Sequence, residues 1–373
     1  MQITAFSLVD GVGPTAWSLQ RCEFRPYVNL IVGASGVGKT KLLNGLFNVG
    51  MFAAQDSMLG PGTISTSFVI DETQYEWNLV IVRAKSGQSS IAKEVLRSTA
   101  GEVLIERDEI KTWFNGEPMP RLPSDRSALR ILREEDAIRP IVNGFASIRR
   151  RSFAGDELDR ARAIQPIAPN IIEACRAGAK ISSLYATTLS LSGVVRILSE
   201  FYKDDYRLLM EQFKRVFPTV EDIRIVEAQN IGLGTIGSAP LLLMKEHGVA
   251  NATPIMEWSA GMLKVLLLVA DVVTQPRPSI YMIDEYENSL GVNAIDFFPG
   301  LINELGEGVQ FFITSHHPML INAIPINDWV VLGRSGCNVR ALYGGLLKER
   351  YGVSHHEQYV KLLNDPFYKG VVS

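Results

Sequence analysis

The chain has 373 residues, 46% of them hydrophobic and 21% charged, with a formal net charge of −3 at pH 7. That profile is that of a folded globular protein; it excludes disordered and fibrous classes and gives no overall electrostatic pull toward nucleic acid. The length suits two or three domains, or one large α/β domain carrying an insertion.

In chain order, apolar alternation predicts strands over 3–9 and 28–32, the second running through a glycine-rich turn into an apolar-periodic helix over 41–47. Residues 64–70 and 75–82 read as an antiparallel hairpin around the polar Asp71-Glu72-Thr73-Gln74. A β-like stretch over 94–114 turns at Gly101 and ends at Asn115-Gly116, the dipeptide of a type I′ turn. Beyond the Pro-rich 118–123 the chain becomes Arg-rich and helical over 128–139 and 184–216, and Phe217-Pro218 stops the last helix. Alternation returns at 222–226 and 240–244, and a long helix is predicted over 259–273. The short apolar runs 280–283 and 309–313 suit parallel strands buried on both faces. No internal repeat or low-complexity segment is visible.

The most apolar stretch, 265–273, is broken by Asp271, whereas a bilayer span needs about 20 apolar residues. The N-terminus carries neither a basic nor an apolar signal region, so a cytoplasmic location is expected. Cys22, Cys175 and Cys337 are widely spaced and odd in number, which argues against a disulfide framework or a cysteine zinc site and for buried or incidental thiols.

Four segments carry chemistry. Gly33-Ala34-Ser35-Gly36-Val37-Gly38-Lys39-Thr40 matches the phosphate-binding pattern G-x-x-x-x-G-K-[ST] between a predicted strand and a predicted helix. Its glycines let successive backbone N–H groups face a β-phosphate at the helix N-terminus; Lys39 would bridge β- and γ-oxygens and Thr40 would ligate Mg²⁺. The apolar run 279–283 ends in Asp284 and Glu285, placed to hold Mg²⁺ and to orient or deprotonate the attacking water respectively. The run 309–313 leads to Ser315, His316 and His317, where a histidine can donate to a γ-phosphate. Ser259 is a candidate N-cap and Gly261 permits close backbone approach, so the start of the 259–273 helix can receive an anion.

GASGVGKT at 33–40, EWSAGMLK at 257–264, SIYMIDEYENSLG at 279–291 and FFITSHHP at 311–318 resemble, in order, the Walker A, signature, Walker B with D-loop, and switch-histidine motifs of soluble ABC-type AAA family ATPases. The likeness is to SMC, RecF and OLD-like heads and, among them, to the short ATPase subunits of bacterial anti-phage defence systems. It implies an α/β fold, a P-loop ABC-type head with a mixed sheet, an N-terminal antiparallel β part and an inserted α-helical subdomain. The head would comprise 1–90 and 240–373, with 91–239 inserted as a β-hairpin and α-helical region. It implies ATP and Mg²⁺ as cofactors, and a head-to-tail dimer or higher oligomer in which Ser259, Ala260 and Gly261 reach the ATP of a second protomer. His316 falls on the switch histidine, and Glu287, Asn288, Ser289 and Leu290 on the D-loop. The sequence departs from the pattern at Ala260, where transporters have a second glycine, and at Gly291, where the D-loop has aspartate; Gln74 and Gln88 are weak Q-loop candidates.

With 56 residues after His317 in this sequence, any nuclease activity is expected in a partner chain and not in an appended domain of the OLD-like kind. The function expected is therefore an ATP-hydrolysing sensor or scaffold of a defence complex, controlling a partner effector such as a nuclease encoded nearby, with no membrane partner. The alternative is a RecF-like DNA-repair ATPase, which predicts strongly salt-dependent DNA binding. Arg149-Arg-Arg151 with Arg160 and Arg162 is the densest basic group, but Asp156, Glu157 and Asp159 interleave with it, as on a solvated helical face. His355-His356-Glu357 reads as an exposed polar turn.

Overall fold

The structure, a computed structural model, describes residues 1–84, 87–153, 155–186, 189–231, 239–352 and 354–370. The chain opens with strands β1 (Gln2–Asp10), β2 (Trp17–Glu23) and β3 (Val28–Gly33) and helix α1 (Lys39–Ala54). Six strands follow: β4 (Gly62–Ile70), β5 (Thr73–Arg83), β6 (Ser89–Ser98), β7 (Val103–Asp108), β8 (Thr112–Phe114) and β9 (Glu117–Met119). Helices α2 (Ala128–Ile131) and α3 (Arg139–Ala146) lead to β10 (Ile148–Arg151). Next come α4 (Gly155–Arg162), α5 (Pro169–Arg176), α6 (Leu191–Phe201), α7 (Lys203–Val216), β11 (Val220–Glu227), β12 (Pro240–Glu246) and β13 (Thr253–Pro254). The C-terminal part runs α8 (Ala260–Thr274), β14 (Ser279–Ile283), α9 (Val292–Leu305), β15 (Val309–Thr314), α10 (Pro318–Ala323), β16 (Trp329–Ser335), β17 (Asn338–Tyr343), α11 (Gly344–Tyr351) and α12 (His355–Asn364).

The chain divides into two compact units, one of residues 1–150, 278–285 and 308–373, the other of 151–277 and 286–307. The first is built on one mixed sheet with strand order β10-β14-β15-β3-β16-β17-β2-β1-β4-β5-β6-β7-β8-β9. Strands β14, β15, β3 and β16 are mutually parallel, and every residue of β14 and β15 is buried. That is why they read as unbroken apolar runs instead of alternating ones. Strand β1 pairs antiparallel with β2 and β4, and from β4 through β9 successive strands are antiparallel neighbours. Asp71 and Glu72 between β4 and β5 have φ of 47° and 68°, and Asn115 and Gly116 between β8 and β9 have 51° and 79°, the left-handed pair of a type I′ turn. Helix α1 buries Leu42, Leu43, Leu46, Val49 and Phe52 in the core of this unit, where Phe52, Trp77, Phe68 and Phe145 pack ring against ring.

The second unit holds helices α4 to α9 and a three-stranded antiparallel sheet, β11-β12-β13. Phe213 of α7 stacks on Trp258, and Gln212 and Arg215 both donate to Glu304 of α9. Asp271, buried in the middle of α8, accepts two hydrogen bonds from Arg151, at 2.7 and 2.9 Å.

The mixed α/β fold expected of an ATPase head is the one observed, with four local corrections. The helix predicted over 128–139 is two short helices separated by a turn region at 132–138, where Pro140 opens the first turn of α3. Within 184–216, α6 and α7 break at Tyr202, residues 184–186 belong to a 3-10 turn, and 187–188 lie outside the described residues. Arg149, Arg150 and Arg151 lie on strand β10 and not on a helical face. Residues 355–357 begin helix α12 in place of a turn; the side chains of His355 and His356 lie outside the described residues, and Glu357 pairs with Lys361.

Candidate nucleotide site

The phosphate-loop sequence occupies the β3–α1 connection of the first unit. Gly36 and Gly38 have φ of 78° and 116°, values open to glycine, and a Cβ at Gly38 would come within 2.7 Å of the Trp17 ring. The curl turns the amides at the α1 N-terminus into an anion cradle. Lys39 is buried and folds over its own loop, donating from Nζ to the carbonyls of Gly33 at 2.9 Å and Ala34 at 3.3 Å. From the β16 side, Arg334 donates to the carbonyls of Gly36 and Gly336, which ties the loop to the β16–β17 turn.

Asp284, at the C-terminal end of β14, is 4% exposed and carries a network. Its Oδ1 accepts from the hydroxyls of Thr40 at 3.2 Å and Thr314 at 2.7 Å, and its Oδ2 accepts from Arg150 Nη2 at 3.0 Å. Thr314 accepts in turn from the backbone N–H of Glu285 at 2.7 Å. Parallel pairing of β14 with β15 and of β15 with β3 brings three strand ends to one edge, and the acid, the threonine and the loop arrive there together. Glu285 takes a left-handed backbone, φ 50°, a strained conformation for a non-glycine residue that costs about 1–3 kcal/mol where it persists. Its side chain is exposed and lines the same cleft as Ser35, Lys39, Thr40 and His316.

That cleft has a volume of about 860 Å³ and extends from the loop past Trp17, Lys41, Asn44 and Asn48 toward Asp10. Lys41 stands 4.7 Å over the Trp17 ring and pairs with Asp10 at 2.7 Å. The two histidines after β15 separate by role. His317 is the N-cap of α10, accepting from the N–H of Met319 at 3.3 Å, whereas His316 is half-buried and lines the cleft. Gln74 and Gln88 do not line it.

Ser259, Ala260 and Gly261 belong to the second unit and are not among the residues lining the cleft. Ser259 caps α8, its hydroxyl accepting from the N–H of Met262 at 3.2 Å. Glu287, Asn288, Ser289 and Leu290 form a turn closed by a Leu290 N–H to Glu287 carbonyl bond of 3.1 Å, with Ser289 at φ 62°.

Three side chains that contact the phosphate loop or Asp284 escape sequence reasoning. Thr314 had a signal, since it is the first polar residue after an apolar strand, beside the histidines. Arg334 likewise follows the apolar run Trp329 to Leu332. Arg150 had none, because nothing in a triple arginine says which one meets a carboxylate on the neighbouring strand.

The donor set at Asp284 and Thr40 is a carboxylate and a hydroxyl beside an amide cradle. Hard oxygen ligands at a phosphate site suit Mg²⁺, which takes one or two protein oxygens together with substrate phosphates. The sequence profile of a family described as "AAA domain, putative AbiEii toxin, Type IV TA system" matches residues 28–322. No curated protein matches the chain. Among solved structures, one described as the SmcHead bound to the C-winged helix domain of ScpA is similar with a TM-score of 0.56 at 15% identity, over 92% of this chain and 98% of that one. An SMC head domain from Thermotoga maritima gives 0.47 at 14% identity, over 92% and 99% of the two chains. An Smc head domain with an extended coiled coil, bound to the C-terminal domain of ScpA and derived from Pyrococcus furiosus, gives 0.49 at 13% identity, over 97% and 98%.

Proposed function

The chain belongs to the AbiEii-type AAA-domain family and has the fold of an ABC-type ATPase head, and we propose on that premise that it binds and hydrolyses ATP with Mg²⁺. The observation that carries the reading is the Thr40–Asp284 hydrogen bond, which joins the phosphate loop to the acidic strand end in the cleft lined by Glu285 and His316. The amides of 36–40 and Lys39 bind the β- and γ-phosphates. Bound at Thr40 and Asp284, Mg²⁺ would neutralise charge that develops on the transferred phosphoryl group. Glu285 orients the attacking water and takes its proton, and His316 donates to the γ-phosphate. Ser259, Ala260 and Gly261 complete the site of a second protomer in a head-to-tail dimer.

We extend the reading to a sensor or scaffold subunit of an anti-phage defence complex, in which ATP-dependent assembly holds and releases an effector chain such as a nuclease. The family description, which names a toxin and a Type IV toxin–antitoxin system, supports a defence setting. The RecF-like alternative draws less support from the 149–162 arginines, of which Arg150 and Arg151 are engaged with Asp284 and Asp271, and Arg160 and Arg162 pair with Asp156 and Asp159. The test is Glu285→Gln, which should lower turnover by about 10²–10⁴-fold while ATP stays bound. It should also accumulate ATP-bound dimers in size-resolved mass measurements, and unchanged turnover overturns the assignment. Lys39→Ala should weaken ATP binding; unaltered affinity refutes the phosphate site.

A further inference from the structure

Lys264 is completely buried in α8, one turn beyond the Ser259 cap. A lysine at that depth is kept charged only where its donors are satisfied. Its ammonium donates to two main-chain carbonyls, Tyr286 O and Asn288 O, the latter at 2.8 Å. It also lies 4.3 Å from the centre of the Phe153 ring and 5.3 Å from that of Tyr286, so aromatic faces complete the cage. Tyr286 is itself fixed, its ring stacked on Phe298 and its hydroxyl donating to Ala294 O. A second observation converges on the same backbone: a Cβ at Gly261 would come within 2.9 Å of Ser289 O. The first turn of α8 thus lies directly on the 286–290 turn, with a lysine pinned through it.

We propose that Lys264 is a positioning residue that presets the signature turn, 259–261, and the 286–290 turn as one rigid piece, in the geometry that receives the nucleotide of a second copy of this chain. The inference rests on the proposed ATP-sandwich reading. Lys264 acts by fixing the carbonyls of Tyr286 and Asn288, beside the residues that would meet the nucleotide.

Two measurements on the full chain test it. In Lys264→Met, hydrogen exchange of a peptide covering 286–291 should accelerate at least tenfold, with 266–272 and 40–50 unchanged. Lys264→Arg, which keeps the charge and the donors, should restore much of the protection. If Lys264→Met does not fold, Lys264→Gln, which keeps one donor pair, carries the same comparison. Exchange equal to that of the parent overturns the positioning role. In the Glu285→Gln background, adding Lys264→Met should abolish the ATP-dependent dimer while monomer affinity for ATP holds; an equally stable dimer overturns the inference. Absence of a dimer in Glu285→Gln alone refutes the sandwich reading instead, and the exchange experiment still decides whether Lys264 sets the turn.

Discussion

At the scale of single residues, Asp284 beside the cleft is engaged on both oxygens, with two hydroxyls on one and a guanidinium on the other. A guanidinium and Mg²⁺ draw on the same carboxylate, so each weakens the hold of the other on it. Arg150→Gln is therefore expected to lower, severalfold, the Mg²⁺ concentration that gives half-maximal binding of a fluorescent ATP analogue. An unmoved Mg²⁺ midpoint means that Arg150 serves only to fix the strand end. The cysteines report on the same cleft. Cys22 is fully buried, and burial pushes its thiol up to about 12, so it stays protonated and unreactive near neutral pH. Cys175 is buried, whereas Cys337 is half-buried and lines the cleft. Iodoacetamide should modify Cys337 first, and saturating ATP should slow that reaction; peptide mass mapping that shows equal rates with and without nucleotide would place the nucleotide elsewhere.

At the scale of elements, what was legible in the sequence follows the periodicity of burial. Strands β14 and β15 declare themselves because both faces are buried, the β4–β5 hairpin because polar residues separate two strand-like runs, and the β8–β9 turn because Asn115-Gly116 suits a left-handed pair. Strand β10 does not: it is a four-residue edge strand, Ile-Arg-Arg-Arg, in which only Ile148 joins the apolar core while Arg150 and Arg151 meet carboxylates. Motif residues stood out because phosphate chemistry restricts their types, whereas Arg150, which holds Asp284, is chosen by tertiary geometry alone. The β6–α2 junction shows the same dependence. Glu94 is fully buried and accepts from Trp77 Nε1, Ser127 Oγ and the N–H of Ala128, with Arg107 at 3.6 Å. Glu94→Ala would strand the Arg107 guanidinium, itself 3% exposed, and should cost about 3–5 kcal/mol in urea unfolding; a loss below about 1 kcal/mol would show that Arg107 relaxes to its carbonyl partners.

At the scale of the molecule, each compact unit is assembled from pieces far apart in sequence, and the sheet order states the consequence. Strand β3, which ends in the phosphate loop, lies between β15 and β16, both of which come after residue 308. A fragment ending at Arg277 therefore leaves Leu30, Ile31 and Val32 without either parallel neighbour, exposing two ladders of backbone donors and acceptors together with an apolar strand. The second unit fares no better in that fragment, since α9, which supplies Glu304 to Gln212 and Arg215, is also missing. The expected result is that residues 1–277 expressed alone aggregate or exchange their β3 amides freely. Supplying 278–373 as a second chain should restore both the soluble product and ATP binding, because the missing strands and the acids at the β14 end arrive together. A soluble 1–277 fragment with protected β3 amides would mean that the antiparallel strands, β1, β2 and β4 to β9, can hold β3 without its parallel partners.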